Sequence, residues 1–118
     1  FNSHVKTLKI KLQKKSEAIC NALDKYFGSS AEYKKPDGGI FVWVDMHKKV
    51  DTSRLYELAL KDGVAINPGN EWSINKSGRH KMRLCFGNPS IKEIDEGIKR
   101  LAIICRKEFG IPTKIANL

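Results

Sequence analysis

Arg83 is the residue whose type and setting in this sequence could bind a ligand. It lies in a predicted strand in which Met82, Leu84 and Phe86 alternate with more polar residues. Successive side chains of a strand point to opposite faces, so a core beneath the apolar set places Arg83 on the other face, away from the helices. A guanidinium there can bind a carboxylate through two parallel charge-assisted hydrogen bonds, which lysine cannot reproduce. The residues alone favour the alternative, a surface ion pair with Asp45 or another acidic residue on a neighbouring strand.

Other residues that could carry chemistry give weaker signals. The segment 73–76 has the S-x-x-K spelling found around several catalytic lysines, but a nucleophilic lysine needs burial or neighbouring cations. Lys76 lies in a polar stretch that suits a solvated loop instead. The histidines and cysteines lack the spacing of a metal site or a redox pair, and the thiols are expected to be free and buried. These residues are His4, His47, His80, Cys20, Cys85 and Cys105.

Two glycine-containing segments are interpreted as turns. The pair Gly38-Gly39 precedes a strand, whereas a dinucleotide-binding fingerprint must follow a strand and open a helix. The segment 68–70, Pro-Gly-Asn, is more typical of a chain reversal than of a phosphate-binding loop. Neither segment therefore predicts a nucleotide site.

The elements that must position Arg83 follow from hydrophobic periodicity and end signals. Residues 3–27 form an amphipathic pattern that Gly28 ends, and the spelling Ser90-Ile91-Lys92-Glu93 is a capping box at the start of the last helix. A second helix starts after a cap at Asp51 or Thr52. The predicted strands are a short stretch around 31–33, then 40–44, 64–66 and 80–86. The last helix carries a stripe predicted to be buried, at Ile91, Ile94, Ile98, Leu101, Cys105 and Phe109.

This order of elements predicts an α+β fold for a single domain spanning residues 1–118. The strands are too few to form a sandwich by themselves, so amphipathic helices should pack on one face of a small sheet as a two-layer domain. The strand 40–44 is apolar on both alternating faces until Asp45, which predicts an interior strand covered on both sides.

Composition excludes several functional classes. The 118 residues carry 41% hydrophobic and 30% charged residues, without an apolar run long enough for a membrane span. The net charge of +9 would permit nucleic-acid binding, but the lysines near the start follow the polar side of one helix and the rest are dispersed without interleaved aromatic residues. We expect no specific nucleic-acid partner and no membrane partner, and a cytoplasmic location, because the start shows no export signal.

Four ordered motifs give the sequence a family resemblance. They are K-K-P-D-G-G-I-F-V-W-V-D at 34–45, D-G-V-A-I-N-P-G-N at 62–70, M-R-L-C-F-G at 82–87 and S-I-K-E-I-D-E-G-I-K-R-L-A at 90–102. Each is weak alone, but together, in this order and spacing, they resemble the C-terminal small domain of class I/II aminotransferases of fold type I. The sequence is most similar to the branch of 2-aminoadipate and kynurenine aminotransferases and the aminotransferase-like half of MocR-type regulators.

The resemblance implies a parent enzyme that transfers an amino group from an amino acid to a 2-oxo acid, with pyridoxal phosphate as electron sink. Arg83 matches the family's arginine that binds the substrate α-carboxylate, and the small sheet should be mainly antiparallel. Asn70 and Trp72 match positions lining the approach to the site, where Glu71-Trp72 departs from the commoner small-residue-then-Phe pair.

The same resemblance places the cofactor in a large domain upstream of this chain. That domain carries the family's covalent lysine, its phosphate loop and the partners of the pyridine nitrogen. The chain alone is therefore predicted to be inactive, and its partners would be the amino acid and 2-oxo acid substrates, the parent's large domain and a second subunit of a homodimer. The alternative is the effector domain of a MocR/GntR-type transcriptional regulator, and a stand-alone basic binding module is the third possibility.

Overall fold

The α-helices and strands follow one another in the predicted order, with two strands between each pair of successive α-helices. The computed structural model describes residues 2–36, 39–69 and 78–114, with side chains from residue 6 onward. The helices are α1 (Asn2–Tyr26), α2 (Thr52–Lys61) and α3 (Ile91–Phe109), and the strands are β1 (Ala31–Tyr33), β2 (Phe41–Met46), β3 (Asn67–Pro68) and β4 (Lys81–Cys85). Within those ranges, none of the helices is both long and apolar enough to cross a membrane.

The four strands form one antiparallel sheet in the order β1-β2-β4-β3. Strands β2 and β4 are therefore interior, and Trp43 of β2 lies opposite Arg83 of β4. The short edge strand β3 pairs its Asn67 with Arg83 from the other side. This topology places Arg83 in the middle of the sheet, with a paired strand on each side.

The helices cover one face of this sheet, as the α+β two-layer prediction requires. The buried sheet residues alternate along the interior strands and join apolar residues of all three helices in one core. They are Val42, Val44, Met46, Met82 and Leu84. Between them lie residues that remain at least partly exposed, so the opposite face of the sheet is open in the described part of the chain.

End signals in the sequence are confirmed where the structure describes them. The Asp51 carboxylate accepts a hydrogen bond from the backbone N–H of Ser53 at 3.0 Å and caps α2. Ser90 and Glu93 form the reciprocal capping box of α3. Gly110 ends α3 in the left-handed conformation, with a φ of 66°.

Two strand predictions are wrong. Residues 64–66 form no strand, because the backbone N–H of Val64 donates to the carbonyl of Ala59 and so completes the end of α2. Pairing starts only at Asn67, and Pro68 is tolerated because β3 is an edge strand. Strand β2 is interior as predicted but is not covered on both sides, since Trp43 is 52% exposed on the open face.

The helices are also less uniformly buried than their apolar patterns suggest. Ile19 and Leu23 of α1 are buried, whereas Leu8 is 54% exposed, so only the second half of α1 packs on the domain. In α3 the first stripe residue, Ile91, is exposed, and packing begins at Ile94. Hydrophobic periodicity identifies the face of a helix that can be buried. The extent of the sheet beneath the helix decides how many residues of that face are buried.

Candidate functional site

Arg83 lies on the open face, as strand alternation predicts. Its neighbours along β4, Met82 and Leu84, are buried beneath the helices, while Arg83 itself is half-buried on the other side. Because β4 is interior, its backbone is held by hydrogen-bonded strands on both sides. The guanidinium is thus carried by a rigid part of the fold instead of a loop.

Two aromatic rings of β2 hold the guanidinium. Its central carbon Cζ lies 4.1 Å from the centroid of the Phe41 ring and 5.4 Å from that of Trp43, both within cation–π range. The Nε atom of Arg83 is buried without a hydrogen-bond partner among the described residues. The terminal amino groups are therefore the hydrogen-bond donors of the guanidinium that could bind an anion.

The alternative ion pair between Arg83 and Asp45 does not form. The Asp45 carboxylate instead lies 3.0 Å from Nε2 of His80, and its cross-strand neighbour is Lys81. In the part of the chain that the structure describes, no acidic side chain forms a salt bridge with Arg83. An arginine braced by aromatic rings and lacking an anionic partner there is suited to bind a carboxylate or phosphate from outside.

The described thiols and histidines give no second site. Cys20 and Cys105 are buried and Cys85 is half-buried, and all three are free, as expected, although Cys85 is more exposed than predicted. Burial raises the pKa of Cys105 to about 12, so this thiol stays protonated and unreactive at neutral pH. Among the described residues, no group of His, Cys, Asp and Glu could hold a metal ion.

A cleft elsewhere in the described part of the chain carries no catalytic inference. Its volume is about 550 Å³, and it is lined by side chains of α1 together with Lys35, Pro36, Gly39 and Phe86. Lys9 and Lys35 line it together with apolar and neutral side chains, without a nucleophile beside a general base. We therefore place the candidate site at Arg83 and not in this cleft.

Sequence reasoning missed Phe41 and Trp43 as parts of the site. The signal was present, because Val42 and Val44 alternate with them in the same way as Met82 and Leu84 alternate with Arg83. Apolar residues on both faces of the strand are typical of a fully buried strand. In the structure, the rings on the open face instead contact the guanidinium of Arg83. The predictions for Asn70, Trp72 and the segment 73–76 concern residues outside the described part of the chain.

Comparison with known proteins identifies the family. The family model "Aminotransferase class I and II" matches residues 1–101. An uncharacterized aminotransferase of Saccharolobus solfataricus is 38% identical over 98 residues, which are 83% of this chain and 24% of that protein. An uncharacterized HTH-type transcriptional regulator, YisV of Bacillus subtilis, is 30% identical over 91% of this chain and 22% of its own length.

Solved structures agree with this family. The α-aminoadipate aminotransferase LysN of Thermus thermophilus, complexed with N-(5'-phosphopyridoxyl)-L-leucine, superposes with a TM-score of 0.81 at 28% identity. The superposition covers 91% of this chain and 28% of LysN. The chain thus spans about a quarter of the length of the proteins it matches. With the fold and the ordered motifs in agreement, the chain belongs to the class I and II aminotransferase family.

Proposed function

We propose that this chain is the C-terminal small domain of a pyridoxal-phosphate-dependent aminotransferase and that Arg83 binds the substrate α-carboxylate. The observation that carries the proposal is the guanidinium of Arg83, fixed on the open face without an acidic partner among the described residues. Every amino acid and every 2-oxo acid carries an α-carboxylate. One arginine can therefore hold both the donor and the acceptor of an amino-group transfer.

Arg83 would act by orientation. Its planar fork fixes a carboxylate by two parallel hydrogen bonds and so sets the direction of the substrate's Cα–H bond. The rigid interior strand β4 keeps this anchor in place while the bond to Cα is broken. Pyridoxal phosphate, when bound, supplies the electron sink for that step.

The described residues do not fit a covalent site for the cofactor. Each described lysine is exposed or, for Lys15, half-buried, and the Lys15 ammonium donates to the carbonyl of Gly87 at 3.1 Å. An amine that forms a stable bond to an aldehyde cofactor needs an enclosed setting that favours its neutral form. We therefore place the cofactor on a part of the protein outside this chain and expect the isolated chain to be inactive.

The assembly and location proposals follow the family. A chain that matches about a quarter of its relatives is expected to dock on a large domain, and the full-length protein is expected to be a cytoplasmic homodimer. Amino acids and 2-oxo acids would be its partners. We expect neither a membrane nor a specific nucleic acid among them.

One finding favours a second candidate function. The similarity to the HTH-type regulator YisV covers 91% of this chain, so the parent could be a regulator in which Arg83 anchors an amino-acid effector. The reading frame before Phe1 separates the two candidates. A DNA-binding domain ahead of the cofactor domain would identify the regulator, whereas a cofactor domain alone would identify the enzyme.

The test is Arg83→Lys in the full-length protein. Lysine keeps the charge but loses the two-pronged geometry, and a charged hydrogen bond contributes about 1.5–3 kcal/mol, so kcat/KM should fall at least about tenfold. Thermal unfolding measured beside the kinetics should change little, because Arg83 does not point into the core. Wild-type kcat/KM in the variant, or a loss that matches only the loss of folded protein, would show that Arg83 is not the carboxylate anchor.

A further inference from the structure

We infer that Phe41 is a positioning residue for Arg83, and this inference rests on the proposed function. The Phe41 ring lies against the guanidinium and fixes its plane, so that the terminal amino groups face the substrate carboxylate. Phe41 need not touch the substrate. Its role is to restrain the side chain of Arg83, which binds the substrate.

The geometry distinguishes the two rings. Cζ of Arg83 is closer to the Phe41 centroid, at 4.1 Å, than to that of Trp43, at 5.4 Å. The attraction between a cation and a ring face grows as water is removed, and Nε of Arg83 is buried without a partner among the described residues. Since Nε has no hydrogen-bond partner among the described residues, the ring contacts are what favour the observed orientation of the guanidinium. Phe41 is the closer of the two rings.

The backbone around Phe41 is itself fixed. Phe41 lies opposite Cys85 in the β2–β4 pairing, and the N–H of Phe86 donates to the carbonyl of Ile40 at 2.8 Å. A ring on this frame can restrain the Arg83 side chain, which otherwise has several rotatable bonds and a large rotamer entropy. An anchor that is already ordered loses less entropy when the carboxylate binds.

A purely structural role for Phe41 makes different predictions. The ring lies on the open face and is not part of the core beneath the helices. Leucine at this position keeps an apolar side chain of moderate size on a strand but has no ring face for the cation. Phe41→Leu should therefore leave the fold intact and free the guanidinium.

The orientation of the Arg83 guanidinium is measured by NMR on the 118-residue chain labelled with nitrogen-15. In the wild type, the Nε–H of Arg83 should be shifted by the ring current of Phe41 and should exchange slowly with water. Phe41→Leu should reduce the shift and speed up exchange, and Phe41→Tyr should restore both values, because it keeps the ring face. Phe109→Leu is the matched control, since Phe109 is also partly buried but lies in α3 and packs against the core.

The consequence for binding is measured in the full-length protein. Phe41→Leu should raise KM for the amino acid and for the 2-oxo acid by the same factor, about three- to tenfold, because both are held by the same carboxylate anchor. A folding defect would instead lower the active fraction, and with it kcat, without changing KM. Phe41→Tyr should return KM to near the wild-type value, and Phe109→Leu should leave it unchanged.

Two results would overturn the inference. One is an Arg83 Nε–H that keeps its shift and its slow exchange in Phe41→Leu, and the other is an unchanged KM in an active Phe41→Leu enzyme. By contrast, a full-length wild-type protein that shows no transaminase activity would refute the proposed function. In that event, the NMR comparison decides the orientation of Arg83 by itself.

Discussion

The two faces of the sheet are made from the same strands and yet have opposite properties. Met82 and Leu84 lie beneath the helices and are almost fully buried, whereas Arg83, between them in sequence, faces outward. The same alternation in β2 separates the buried Val42 from the exposed Trp43. One face stabilises the domain, and the other carries Arg83, which contacts two aromatic rings and forms no salt bridge with an acidic side chain among the described residues.

This difference shows that stability and binding can be assigned residue by residue along a single strand. A substitution on the helix face removes packing that the fold needs. A substitution on the open face changes what the surface can bind and leaves the core intact.

The largest expected difference is in thiol accessibility. Cys105 is fully buried in the helix layer and its pKa is raised to about 12 by burial, whereas Cys85 is half-buried on the open face. Labelling with a small thiol reagent at pH 8 should modify Cys85 at least about a thousandfold faster than Cys105, because Cys105 reacts only when the domain opens. The rates are measured by mass spectrometry of digested samples.

The control for thiol labelling is Cys85→Ser, which should remove the fast phase and leave the slow phase unchanged. Urea at a denaturing concentration should make the remaining thiols react at similar rates. Fast labelling of Cys105 in the native chain would contradict the assignment of α3 to the core.

The next largest effect is expected for Leu84→Ala. Leu84 is buried on the helix face of β4, and truncating a buried leucine to alanine costs about 2–5 kcal/mol in the free energy of unfolding. The measurement is urea denaturation followed by circular dichroism. Lys81→Ala, on the open face of the same strand, is the matched control and should change stability by less than about 0.5 kcal/mol. Equal effects for the two variants would show that both faces are buried.

The smallest effect is expected for the contact between Asp45 and His80, which joins opposite charges only when the imidazole is protonated. Asp45 is about half-exposed, so the pair is screened by water and should contribute less than about 1 kcal/mol. A double-mutant cycle with Asp45→Asn and His80→Gln measures this coupling. High salt should weaken it further.

The same Asp45→Asn variant tests the separation of Asp45 from Arg83. Since Asp45 pairs with His80 and not with Arg83, kcat/KM of the full-length protein should stay within about twofold of the wild-type value. A coupling above about 2 kcal/mol, or a tenfold change in kcat/KM, would mean that the charges on the open face form one network.

Local signals in the sequence were sufficient wherever a single strand or helix end decides the outcome. The alternation of Met82, Arg83 and Leu84 determined the direction of Arg83 because the two-residue period of a strand does not depend on its neighbours. The capping box at Ser90 determined the start of α3 for a similar reason, since its hydrogen bonds join residues three apart. The order of the motifs was also sufficient to identify the family.

Tertiary structure decided what depends on contacts between distant segments. Residues 64–66 have a strand-like composition, but the backbone N–H of Val64 donates to the carbonyl of Ala59 in α2. No local sequence pattern predicts that hydrogen bond. Phe41 and Trp43 look like core residues in sequence, and only the pairing of β2 with β4 places them against Arg83. The sequence by itself determined that one arginine leaves the core face of its strand. The fold decided that aromatic rings and not Asp45 meet it there, because cross-strand register is set by the whole sheet.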